Sequence, residues 1–135
     1  MAHALIVSPF YVGLCALILV VLSVLIIRRR AVRGVWFGDG GHTDLQRAIR
    51  VQANFVEYTP LALLVIVVLE AAGYRAWLIH TLGIALIVGR LVHAWGLTCS
   101  GEASIGRFVG TKLTFLVLFV GGALLIWCFI RTAVI

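Results

Sequence analysis

Apolar residues run almost unbroken through four stretches of the chain: Ala4–Ile27, Tyr58–Ala72, Ala76–Gly89 and Leu113–Ile130. A helix needs about 20 residues to cross about 30 Å of hydrocarbon. The first and last stretches meet that length alone. The second and third reach it only by including their polar ends, Val51–Glu57 and Arg90–Trp95. Those ends then lie at one side of a bilayer, facing protein instead of lipid. The pattern predicts a single all-α domain over residues 1–135, a four-helix transmembrane bundle of up-down-up-down topology.

Polar residues mark the connections. Arg33–Gln46 (RGVWFGDGGHTDLQ) is the one extended loop, and Gly38-Asp39-Gly40-Gly41 marks its turn. A GDGG tetrad with no preceding strand and no following Lys-Ser/Thr lacks the context of a phosphate-cradling loop. Thr43 or Asp44 is placed to cap the second helix. Gly73-Tyr74 makes a tight turn, with Glu70 and Arg75 bracketing it as a possible rim pair. Gly96–Gly106 forms the last turn.

The head of the second helix carries the most informative residues, RAIRVQANFVEYTP from Arg47 to Pro60. Arg50, Asn54 and Glu57 are spaced i, i+4, i+7, so they stack along one helical face, with Arg47 one turn earlier. An intramembrane charge costs roughly 2.5–3.5 kcal/mol on insertion scales, so such residues are usually paired and functional. Pro60 removes one backbone hydrogen bond and is expected to bend the helix beside Asn54 and Glu57. The third helix ends in Arg90-Leu91-Val92-His93, with Arg90 at the membrane level of Glu57. An Arg90–Glu57 ion pair is the expected structural link. Arg107 and Lys112 open the fourth helix, and Lys112 is long enough to snorkel to the interface.

Composition agrees: 63% of 135 residues are hydrophobic and 12% charged, against about 45–50% and 25% in soluble domains. The net charge of +6 needs no nucleic acid to explain it, because the arginines cluster by membrane side. Arg28, Arg29, Arg30, Arg33, Arg47 and Arg50 flank the first connection, and Arg107 and Lys112 border the third. Only Arg75 and Arg131 fall on the other side. The positive-inside rule then makes the Arg28–Gln46 loop cytoplasmic, in contact with anionic lipid headgroups, and sets both termini on the non-cytoplasmic side. The first apolar run is too long for a cleavable signal and lacks a basic n-region and a small-residue cleavage site. Cys15, Cys99 and Cys128 show no CxxC spacing, and histidines at 3, 42, 80 and 93 are scattered, so neither a disulfide framework nor a metal site is expected.

The segment Arg50-x-Gln52-x-Asn54-x-x-Glu57-Tyr58-x-Pro60 resembles the signature of the MAPEG family, the membrane-associated proteins in eicosanoid and glutathione metabolism. The likeness extends to the helix order, the basic first loop and the RLVH that closes helix three. GDGG-x-x-x-LQ-x-AIR is most similar to the small bacterial inner-membrane branch. The resemblance implies a homotrimer that binds glutathione between neighbouring subunits near the cytoplasmic side. It implies that Arg50, Asn54 and Glu57 hold the tripeptide's charged ends and amide, with Gln52 and Tyr58 in the same signature. Arg29 and Arg30 match the arginine pair ending helix one in the leukotriene synthase, and Arg90 and His93 match the RxxH pair of the prostaglandin-synthase branch. Arg107 matches the arginine that opens helix four beside the thiol, which makes Arg107 and Arg30 the catalytic candidates. Leu97 departs from the pattern: eukaryotic members have a tyrosine four residues after the RxxH histidine.

The residue types suit such a ligand. Arginine forks fit its two carboxylates, a glutamate its ammonium, and an asparagine its amides. The expectation is a glutathione transferase or peroxidase acting on an apolar electrophile or lipid hydroperoxide from the bilayer. Two alternatives are a non-catalytic binding or structural protein on the same fold, and a small transporter subunit with Arg50, Glu57 and Arg90 on a polar path. Gly83, Gly89, Gly110, Gly121 and Gly122 permit close helix contacts without fixing the number of copies.

Overall fold

The computed structural model describes residues 4–99 and 104–134; His3 and the middle of the last turn, residues 100–103, lie outside the described residues. Four helices account for nearly all of it: α1 (Ser8–Arg33), α2 (Thr43–Ala71), α3 (Ala76–Cys99) and α4 (Ile105–Val134). No strand occurs among the described residues. All four helices are long and apolar enough to cross a membrane. α2 and α3 do extend into the polar flanks that the sequence suggested, and α2 runs through Pro60 as one continuous helix.

The core lies where α2 and α3 meet. Buried positions on α2 recur at Leu45, Ala48, Val51, Phe55, Thr59, Ala62, Ile66 and Leu69, the three-and-four spacing of one helical face. Ile79, Leu82 and Leu86 of α3, Tyr11 of α1 and Val117 of α4 complete the main cluster. Glycines let the backbones approach. A Cβ on Gly110 would lie 2.5 Å from the Gly89 carbonyl oxygen and 2.6 Å from the His93 Cβ. A Cβ on Gly83 would strike the Tyr11 ring, whose hydroxyl meets His80 Nδ1 at 2.9 Å. Much of the remaining apolar surface faces outward on α1 and α4, including Leu17, Val20, Phe119 and Phe129, as expected for lipid-facing helices.

Helix ends depart from the sequence-based expectations. The N-cap of α2 is His42, and no side chain caps it; Asp44 pairs instead with Arg33 at 2.8 Å, an exposed contact. Glu70 does not pair with Arg75. It is only 7% exposed, and its carboxylate accepts the backbone N–H groups of Ile6, Val7 and Ser8 at 2.9, 2.7 and 2.7 Å. The last turns of α2 thus cap the start of α1, which has no side-chain cap of its own. A carboxylate on free N–H groups at a helix N-terminus satisfies both the orphan donors and the macrodipole. At the other end, Gly34 takes a left-handed conformation (φ 65°) that ends α1 and lets Val35 N–H donate to the Arg30 carbonyl.

Candidate functional site

The polar head of α2 does not lie against lipid along its whole length. Turned by its buried face toward α3, α2 brings Arg47, Arg50 and Asn54 to one open cavity of about 390 Å³. Thr43 and Gln46, one turn nearer the helix start, join them. His93 and Leu97 come from α3 and Arg107 from α4. Four of the ten residues singled out in the sequence, Arg50, Asn54, His93 and Arg107, therefore converge across three helices.

The cavity attracts anions. Three guanidinium groups line it, and among the described residues no carboxylate does. It also lies beside two helix starts: Thr43 is the first residue of α2, and Arg107 stands in the first turn of α4. Free N–H groups and the positive end of the macrodipole favour negative charge there. Ser104 holds this corner together, accepting from Arg107 N–H at 3.3 Å and donating to the Gly96 carbonyl at 3.0 Å. Gly96 is required for that approach, since a Cβ on it would lie 2.6 Å from Arg107 N.

Arg90 sits immediately behind the cavity wall, 4% exposed. The expected pair with Glu57 is absent. Arg90 instead donates to Asn54 Oδ1 at 2.7 Å and to the Gly110 carbonyl at 3.3 Å, tying α2, α3 and α4 together. Its guanidinium carbon lies 5.9 Å from the centroid of the Tyr58 ring, which packs on Phe115. The physical reason is rotation: burial of Val51, Phe55 and Thr59 faces Asn54 toward α3 and leaves Glu57 exposed. Arg33–Asp44 is the one ion pair among the described residues, and Glu57 has no cationic partner among them.

The other candidates stand apart from the cavity. Gln52 donates to Ser23 Oγ at 2.6 Å, joining α2 to α1. Arg30 donates to the Trp36 carbonyl at 2.8 Å and so braces the first loop. Arg29 lines a separate groove with Arg28 and Arg33. Lys112 rests 4.0 Å above the Phe108 ring. Sequence reasoning passed over Thr43 and Gln46 as cavity walls, although each lies four residues from an arginine of the α2 stripe; Leu97, noted as a departure from the family pattern, does line the cavity. No group of histidine, cysteine and acidic residues suited to a metal occurs among the described residues.

Comparison with known proteins shows the family. The MAPEG family profile matches residues 8–127. The chain is 42% identical over 90 residues to Inner membrane protein YecN of Escherichia coli K12, covering 67% of this chain and 69% of that protein. The YecN protein of Escherichia coli O6:H1 matches to the same extent. With four membrane-crossing helices and the family's sequence along almost its whole length, this chain is an integral membrane protein that belongs to the MAPEG family.

Proposed function

We propose that this protein binds glutathione in the cavity between α2, α3 and α4 and uses it as the co-substrate of a transferase or peroxidase. The observation that carries the reading is the cavity itself: three arginines, Asn54 and two helix starts line it. Glutathione is a tripeptide with two carboxylates, and arginine forks match carboxylate geometry. In this reading Arg47 and Arg50 take carboxylates and Asn54 an amide, while His93 lines the wall. Arg107 stands nearest the thiol. The protein is an inner-membrane homotrimer of up-down-up-down protomers, and neighbouring copies complete each site. Glu57, exposed and without an ion-pair partner among the described residues, then meets the ligand's ammonium at the subunit boundary with Tyr58 and Gln52 behind it. Arg29 and Arg30 come from the adjoining copy.

The chemistry asked of Arg107 is modest. A thiol of pKa about 8.5 reacts as its thiolate. Lowering that value by two units takes about 2.7 kcal/mol of selective thiolate stabilisation. A guanidinium beside a helix start supplies stabilisation of that kind. The thiolate sulfur then attacks an electrophilic carbon of an apolar substrate; with a chloronitrobenzene, a carbon–sulfur bond forms and chloride leaves. Arg107→Ala is expected to lower this turnover at least tenfold, about 1.4 kcal/mol, with much less change in glutathione affinity. Equal turnover in the variant removes Arg107 from the mechanism. A second reading, a non-catalytic glutathione binder, is favoured by Leu97 in the cavity wall. Glutathione binding without turnover on several electrophiles and a lipid hydroperoxide would select it.

A further inference from the structure

Only two cations were assigned by sequence to the side of the membrane opposite the basic loop, Arg75 and Arg131. They are 56 residues apart, yet both line one cavity of about 430 Å³, together with Tyr74, Trp127 and Cys128. This cavity lies at the far end of α2 from the first one; 29 helical residues at 1.5 Å each separate the two ends by about 40 Å. Its shape is fixed by the chain. Gly73 turns with φ 84°, and the Tyr74 hydroxyl donates to the Leu124 carbonyl at 3.0 Å, clamping the α2–α3 turn onto α4. From Leu124, one helical face of α4 then presents Trp127, Cys128 and Arg131.

Neither arginine has an ion pair among the described residues. Glu70, the acidic residue nearest Arg75 in sequence, is committed to the backbone of Ile6, Val7 and Ser8, and no carboxylate among the described residues lines the cavity. The start of α3, immediately after Arg75, adds its own positive macrodipole end. Both arginines are exposed, so their guanidinium groups are available to an anionic group at the cavity. The aromatic residues Tyr74 and Trp127 are of the kind that sits at headgroup depth. Ile126, Phe129 and Ile130 extend an exposed apolar face of α4 beside the cavity.

We propose that this cavity is a binding site for the phosphate of an anionic phospholipid, held between Arg75 and Arg131 with its acyl chains along α4. The site is independent of the first cavity and of what that cavity binds. A phosphodiester presents oxygens to both guanidinium forks, and its tails cover apolar surface that free phosphate would leave bare.

Cys128 in the cavity wall reports occupancy locally. In vesicles of phosphatidylcholine containing phosphatidylglycerol, alkylation of Cys128 by a neutral maleimide, read by peptide mass spectrometry, should be at least threefold slower than in phosphatidylcholine alone. Arg75→Gln/Arg131→Gln should remove that difference, whereas Arg28→Gln/Arg29→Gln, on the basic loop's side, should keep it. Equal rates in the two vesicle types overturn the proposal, as does protection that survives in Arg75→Gln/Arg131→Gln. Protection by inorganic phosphate equal to that by phosphatidylglycerol overturns the lipid assignment in favour of a free anion.

Discussion

Replacing Glu70 by glutamine tests the cap that joins α2 to α1. The carboxylate now serves three N–H donors, two on Oε1 and one on Oε2. An amide offers one oxygen, so its NH₂ group must face at least one of those donors. Ser8, 1% exposed, then has a buried N–H without an acceptor, which costs about 1–3 kcal/mol. The two remaining bonds lose their charge assistance, and the start of α1 loses a stabilising anion worth about 0.3–1 kcal/mol. The sum is about 3 kcal/mol, or roughly a hundredfold in the opening equilibrium of the first turn. Hydrogen exchange at the amides of residues 6–8 in detergent micelles should therefore accelerate about a hundredfold in Glu70→Gln. The same amides should be unaffected in Glu57→Gln, because Glu57 is exposed and touches nothing at that end. Exchange in Glu70→Gln within twofold of wild type would refute the capping role.

Further outcomes follow from the same contacts. Gly110→Ala should lower stability in denaturant titration by about 1–3 kcal/mol, because the added methyl meets the Gly89 carbonyl and His93 backbone; a neutral effect would mean that α3 and α4 are not so close. Arg90→Met should destabilise the bundle by about 2 kcal/mol, since Asn54 Oδ1 and the Gly110 carbonyl lose a charged donor; it should also weaken glutathione binding, which calorimetry reads. Glu57→Gln should leave stability within about 0.5 kcal/mol of wild type yet weaken glutathione binding. A loss on the order of 3 kcal/mol, as for a broken buried pair, would restore the Arg90–Glu57 pairing.

The four helices were legible because lipid demands long apolar runs, and the head of α2 was legible because its charges interrupt one. That α2 carried polar residues on a stripe followed from spacing alone. Which of them would meet Arg90 did not follow, since Asn54 and Glu57 are three residues apart and both lay within reach. The choice was made by rotation of α2, set by the burial of Val51, Phe55 and Thr59, and an apolar helix hides that rotation when all its faces are hydrophobic. Glu70 was misread for a related reason. Its partners are main-chain donors more than 60 residues away, and backbone groups carry no sequence signal. Arg75 and Arg131 were noted only as scarce cations; their convergence depends on the Tyr74–Leu124 bond, which joins distant segments.

The central claim is that the arginine-lined cavity holds glutathione. Calorimetric titration of glutathione into the purified protein in micelles, with Arg50→Ala/Asn54→Ala as the paired variant, tests it directly. Saturable binding to wild type, weakened at least tenfold in the variant while its helical content is unchanged, is the predicted result. No binding to wild type at millimolar glutathione, or equal binding by both proteins, would contradict it.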